Sequence, residues 1–427
     1  MKTAYLSKCG RGKYSTLLKR PAINNNDALK AVLPIVNEVK SGGISAALKY
    51  ASIFDSIPNK GFRISKEEMR NAGKRISDDL KESIDTAYRN IYAFHIKQKP
   101  AGYSVETMEG VVCSREFRPI ENAGLYIPGG TAPLFSTLLM LAIPAGIAGC
   151  GRIALFSPAK EGMVSDALLY AASICGIDEF YAIGGAQAIA LMAYGDKNFA
   201  PVNKIFGPGN SYVTAAKMIV STDPDGCAID MPAGPSEVLI IADRFANPEF
   251  VAADFLSQAE HGPDSQSVLV TNSIEFADAV KKEIKLQSAL LDRREFIQKS
   301  LKSSLIVITD TIDEAIEFSN RYAPEHLIMN FRNAEKKKAK VINAGSVFIG
   351  PFSPESAGDY ASGTNHSLPT YGYAKSYSGV TVEQFMKSVS FQNLSRQGLK
   401  GLAKSIITMA EEEKLSAHAN AVKVRLK

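Results

Sequence analysis

Apolar residues recur at helical spacing through the first quarter of the chain and then gather into short continuous runs. Residues 28–39, 44–54, 66–71 and 77–97 set charges among apolar positions three and four apart, the period of amphipathic helices. Pro34 falls inside the first of these and predicts a kink or a split. Residues 111–118 read as a strand following a turn at 107–110. From Gly124 the pattern changes. Apolar runs at 124–127, 152–157, 180–183 and 202–206 alternate with helical stretches at 132–147, 164–175, 186–194 and 211–220. A second series starts at 238–242 and continues with 267–271, 305–309, 327–330 and 346–349, again with helices between. Apolar strands joined by helical crossovers imply parallel sheets covered on both faces. The expected fold is therefore α/β: two Rossmann-like, incompletely doubly wound modules, an N-terminal helical region and a C-terminal helical tail. Past Gly350 turn formers dominate to Tyr373; helices at 382–389 and 398–412 then lead into a tail through His418.

Length and charge narrow the reading only a little. A chain of 427 residues exceeds one core, and 45% hydrophobic with 22% charged residues is ordinary for a globular protein. The net charge of +5 is small, and Lys336-Lys337-Lys338 reads as a solvated helix face, so nucleic-acid binding is not expected. Residues 122–151 carry no charged side chain, but prolines and glycines break the stretch into strand, turn and helix rather than a membrane span. Residues 1–20 are polar and basic without an apolar export segment. Five widely spaced cysteines with no C-x-x-C pair fit a reducing cytoplasm better than a disulfide framework or a thiolate zinc site. The expected setting is cytoplasmic.

Candidate chemistry centres on Ser257-Gln-Ala-Glu-His-Gly262. Asn247 as cap, Pro248 at the first helical position and Glu249 in the first turn predict a helix that Gly262-Pro263 ends. Gln258 and His261 lie three apart at its end, where an amide oxygen and an imidazole nitrogen can share a metal ion. The chain has five histidines. His95 sits on an amphipathic helix and reads as structural, whereas His261, His326, His366 and His418 keep company with Gln258, Glu325, Asp359 and Glu413. Cys113 and Cys150 lack a neighbouring base and read as inert thiols rather than nucleophiles. The turn Gly207-Pro208-Gly209-Asn210 lacks the third glycine of G-x-G-x-x-G, and by that fingerprint alone NAD⁺ binding is not expected.

These residues lie in segments that resemble one family, the histidinol dehydrogenases. The matching stretches are Asn122-Ala-Gly-Leu-Tyr-Ile-Pro-Gly-Gly130, Gly184-Gly-Ala-Gln-Ala-Ile189, Gly207-Pro-Gly-Asn-Ser-Tyr212, Asp230-Met-Pro-Ala-Gly-Pro-Ser-Glu237, Ser257-Gln-Ala-Glu-His-Gly262, Ala323-Pro-Glu-His-Leu327, Gly358-Asp-Tyr360 and Thr364-Asn-His-Ser-Leu-Pro-Thr370. The resemblance spans essentially the whole chain. One departure is in the tail, where family members read E-G-L-x-x-H and this chain has Lys414 between Glu413 and Leu415.

The resemblance implies oxidation of L-histidinol to L-histidine through histidinal, with two NAD⁺ and one Zn²⁺ per subunit. By position it implies Gln258, His261, Asp359 and His418 as zinc ligands, and Glu325 and His326 as the catalytic pair. Ser236, His366 and Glu413, together with the ligands and His326, would hold substrate; Tyr126, Gln187 and Asn210 would touch NAD⁺. It further implies a homodimer with swapped C-terminal tails. Residues 124–236 would then form the NAD⁺ module, and 21–123 with 237–375 the zinc and substrate module, its N-terminal part helical. Residues 1–20 would be an arm packing on the C-terminal helices, 376–404 a helical extension, and 405–427 the tail that completes the partner's site. Two other classes share some features: a zinc hydrolase with Glu325 as water base, and a two-lobed small-molecule binding protein. NADH formation separates both from a dehydrogenase.

Overall fold

A computed structural model describes the chain apart from residues 9–10, 21–24, 56–60, 130–133 and 233. In chain order its strands are β1 (Lys2–Tyr5), β2 (Arg63–Ile64), β3 (Tyr103–Met108), β4 (Val111–Pro119), β5 (Asn122–Tyr126), β6 (Arg152–Phe156), β7 (Glu179–Tyr181) and β8 (Lys204–Phe206). They continue as β9 (Ala228–Ile229), β10 (Glu237–Ala242), β11 (Gln266–Thr271), β12 (Leu305–Ile308), β13 (His326–Asn330), β14 (Ser346–Ile349) and β15 (Met386–Leu394).

Two six-stranded sheets carry the fold, in the orders β2-β7-β6-β5-β8-β9 and β1-β12-β11-β10-β13-β14. Each contains the same parallel core, in which the module's first strand lies centrally, with the second and third on one side and the fourth and fifth on the other. This is the doubly wound pair that the apolar runs predict. β10 and β11 are buried along their whole length, which is why they read as continuous apolar runs rather than alternating ones. Among the described residues no helix is long and apolar enough to cross a membrane.

Several placements correct the sequence reading. The helices Asn25–Phe54, Lys66–Ala72 and Asp78–His95 pack on helices of the first sheet, and β2 pairs antiparallel with β7. The N-terminal helical region thus joins residues 124–236, not the second module. In the N-terminal arm, expected to pack on the C-terminal helices, β1 instead extends the second sheet beside β12. Helix Asn25–Phe54 runs through Pro34 and breaks at Gly43 instead, whose φ is 56°. Residues 382–389 do not form the expected helix: after a short turn at Val382–Phe385, β15 pairs antiparallel with β4, whose other edge pairs with β3. Val389 and Phe391, two apart, share a face only in a strand. Phe385 belongs to the core, stacked on Phe206 with ring centroids 3.7 Å apart.

Candidate active site

A cleft of about 820 Å³ opens between the two sheets. From the first sheet it takes Pro128, after β5, and Gly207–Tyr212, after β8, at the carboxyl-end switch point where open α/β sheets bind ligands. The second sheet meets it with the opposite edge. Ser236 precedes β10, residues 261–265 precede β11, and Glu325 and His326 stand at the start of β13. At the carboxyl end of that sheet, buried Asp243 accepts from the backbone of Phe245 and Arg332, and the Arg332 guanidinium lies over the Phe245 ring.

The helix Pro248–Ala259 delivers the first candidates. Asn247 caps it through the Glu249 amide, and Pro248 opens it, as the sequence predicts. Gln258 is fully buried, with neither amide atom hydrogen-bonded. His261, just past the helix end, is open to the cleft; crowding by surrounding protein holds its pKa down, with Asp359 opposing. Asp359 comes from the short helix Glu355–Tyr360. One turn earlier on that helix stands Glu355, buried, with both carboxyl oxygens lacking hydrogen-bond partners. Ligand atoms of His261, Glu355 and Asp359 lie within 4.8 Å of one another, close enough to share one cation.

His326 sits at the centre of the carboxyls. Its Nδ1 is 3.6 Å from both Glu325 and Glu355, and its Nε2 is 3.6 Å from Asp359. These are ion-pair separations, too long for hydrogen bonds. Burial pulls the His326 pKa down, but Glu355, Glu325 and Asp359 outweigh it and the net direction is up. Burial also pushes Glu325 and Glu355 up, against the pull of His326. Burial works to raise Asp359 too, yet His326, His366 and His261 hold it below the ordinary range. The four groups are close enough for the charge of each to bear on the protonation of the others. Their scaffold is backbone: Glu325 accepts from the Glu237 amide at 2.8 Å, and His326 Nδ1 is 3.3 Å from the Glu237 carbonyl oxygen. His366 is fixed at both ring nitrogens, by the Asp359 carbonyl at 2.7 Å and by Thr137 Oγ1 at 3.1 Å.

The remaining candidates fall outside this cluster. Ser236 and Asn210 line the cleft. Asn210 uses its side-chain oxygen to cap the Tyr212 and Val213 amides. Tyr126 and Gln187 are buried beside the start of the helix Gly185–Tyr194 rather than lining the cleft. The Tyr126 hydroxyl accepts from the Gly185 amide, and Gln187 and the Gly184 amide both donate to Asp55. The Gly207 amide is taken by Asp230, which also pairs with buried Lys217. Gly207 itself has φ 125°, and a Cβ there would overlap the Tyr126 carbonyl oxygen. Glu413 and His418 are exposed and do not line their own chain's cleft.

The sequence reading gives no role to Glu355 or Glu237. Glu355 has a signal, its four-residue spacing from Asp359 after Pro354, but no neighbouring histidine in sequence draws attention to it. His95 is buried and bonded to the Ile91 carbonyl, in keeping with a structural role. Burial pushes the Cys150 thiol up to about 11 and Cys175 to about 12, away from nucleophilic use.

Fold and cleft together define an α/β enzyme with a buried acid–base cluster and a set of donors suited to a metal. A family model described as histidinol dehydrogenase matches residues 18–426. A histidinol dehydrogenase of Bacteroides thetaiotaomicron is 52% identical over 415 residues, covering 97% of this chain and 96% of that protein. One of Vibrio parahaemolyticus is 49% identical over 427 residues, covering 100% and 98%. The crystal structure of the enzyme from Elizabethkingia anophelis matches with a TM-score of 0.95 at 47% identity, covering 100% of this chain and 98% of that one. The chain belongs to the histidinol dehydrogenase family of oxidoreductases.

Proposed function

We propose that this chain catalyses the zinc-dependent, four-electron oxidation of L-histidinol to L-histidine through L-histidinal, using two NAD⁺ in succession. The observation that carries the metal is Gln258. A fully buried amide with no partner is costly, and it stands on the helix that presents His261 to Asp359. We assign Gln258, His261 and Asp359 as ligands, with His418 of the partner subunit. When bound, Zn²⁺ supplies a fixed positive charge that holds and orients the substrate's nitrogens.

The protein's own residues carry the proton work. His326 takes the hydroxyl proton as hydride leaves the carbinol carbon. With Asp359 committed to a cation, one of the carboxylates that raise His326 is withdrawn, and the ring moves toward the neutral form that a base needs. Glu325 takes a proton from the water that adds to the aldehyde. Ser236 and His366, with Glu413 of the partner subunit, orient substrate.

The amides of Gly184, Gly185 and Gly207 already have acceptors within the chain, so they are not free for a pyrophosphate. The proposed contact surface is therefore the Gly207–Tyr212 wall with Asn210, and Tyr126 and Gln187 support it from below. A swapped homodimer is favoured by the exposure of Glu413 and His418 and by the third sheet, where Tyr103, Val105 and Phe391 are 58%, 49% and 43% exposed. The thiols and the fold fit a cytoplasmic setting.

The test is stoichiometric: consumption of L-histidinol by the zinc-loaded enzyme should release two NADH per histidine formed. One NADH per histidinol would reduce the reaction to alcohol oxidation, and none would turn the reading to hydrolysis or binding. Chelation should end turnover while circular dichroism stays unchanged, because the ligands sit on already packed elements.

A further inference from the structure

Two peptide groups of Glu237 hold the proposed catalytic pair, and the side chain of Glu237 is held in turn from the N-terminal arm. Its amide donates to Glu325 and its carbonyl lies beside His326 Nδ1. Its carboxylate, at the start of β10, is buried and receives Nε and Nη2 of Arg20, both at 2.7 Å. The same Arg20 Nη2 donates to the carbonyls of Tyr322 at 2.7 Å and Ala323 at 3.2 Å. The guanidinium also lies over the Tyr322 ring, 3.8 Å from its centroid. Tyr322 reaches Gln266 at 2.7 Å, at the start of β11. Ala323 has φ 54°, a left-handed conformation that residues other than glycine rarely adopt. It sits two residues before Glu325, so the turn that Arg20 pins is the turn that aims Glu325 and His326.

We propose that Arg20 is a positioning residue for the reaction, acting through Glu237 and the Ala323 turn to set Glu325 and His326. The idea rests on the catalytic roles given above to that pair. A side chain more than two hundred positions away in sequence thereby fixes the amino ends of β10 and β13 against one another. Arginine suits this place because one planar fork meets a carboxylate at two points while its other protons meet carbonyls; a lysine ammonium cannot do both.

Arg20→Ala, Arg20→Lys, Glu325→Gln and the Arg20→Ala/Glu325→Gln double variant are compared as zinc-loaded full-length enzymes, with kcat, KM, bound zinc and melting temperature measured for each. A displaced catalytic pair should lower the kcat of Arg20→Ala on the order of 100-fold, with KM and bound zinc close to wild type. Arg20→Lys should recover little. Millimolar guanidinium should raise the kcat of Arg20→Ala and leave Glu325→Gln unchanged. The double variant should be about as slow as its slower parent, because both changes act on one group. The proposal is overturned if Arg20→Ala keeps kcat within about threefold of wild type, if the two losses multiply, or if activity falls only in step with zinc or folded protein. Should Arg20→Ala not fold, Arg20→Lys carries the same comparison. A wild-type kcat in Glu325→Gln would sink the catalytic reading instead, and guanidinium rescue of Arg20→Ala tells the two failures apart.

Discussion

At the scale of single residues, environment matters more than identity. Glu325 and Glu355 are both buried carboxyls beside one imidazole, yet only Glu325 is tied to a backbone amide. The division of labour predicts unequal damage. Glu325→Gln should slow histidinal oxidation far more than histidinol oxidation, by roughly 100-fold or more for loss of a general base, and His326→Asn should slow the alcohol step. Supplying histidinol and histidinal separately and following NADH checks this; equal damage to both steps by Glu325→Gln would undo the assignment. Asp254, a turn before Gln258, makes a separate case because burial alone lifts its pKa to about 7. The unfolded chain ionises it near its ordinary value of 3.8. Its neutral folded form therefore contributes stability that is complete below that value and is lost as pH rises to about 7. Asp254→Asn should match wild type below about pH 4 and gain on it up to pH 7, by roughly 2–4 kcal/mol. Denaturant unfolding across that range measures it, and a pH-independent difference would contradict it.

At the scale of elements, local rules predict well until a neighbour decides. Asn247, Pro248 and the end of that helix behave as the sequence requires, because capping depends on adjacent residues alone. Residues 386–389 do not, because pairing with β4 settles them and β4 lies far away in sequence. Phe385→Ala should cost about 3–5 kcal/mol by opening a cavity under the first sheet; a melting temperature unchanged from wild type would deny Phe385 that role. Lys414 shows the reverse, a local preference overridden. The backbone there is left-handed at φ 61°, a conformation that favours glycine. Lys414→Gly should relieve strain and stabilise the chain by up to about 1 kcal/mol, read from thermal unfolding.

At the scale of the whole molecule, the cleft needs more than one chain if the tail is swapped. Asp359→Ala and His418→Ala should each be inactive alone. Under conditions of subunit exchange, random pairing makes about half the dimers hybrids with one intact site, so activity should return to roughly a quarter of wild type. No rescue would place His418 in its own chain's site. The same scale explains why the cleft joins the carboxyl edge of one sheet to the amino edge of the other, an arrangement that strand order alone does not contain.

Sequence by itself determined the two parallel modules, the helix that carries Gln258 and ends just before His261, and the short list of candidate side chains. Those features depend on periodicity, caps and residue type, all written locally. It also held the family motifs, which carried Asp359, His366 and the Glu325-His326 pair into the list. The tertiary structure alone decided that the N-terminal helices cover the first sheet, and that Tyr126 and Gln187 are already engaged. It alone brought Glu355 beside His261 and Asp359, and Arg20 onto Glu237. Each of those depends on contacts between segments distant in the chain, where burial and charge exist only once the sheets have met.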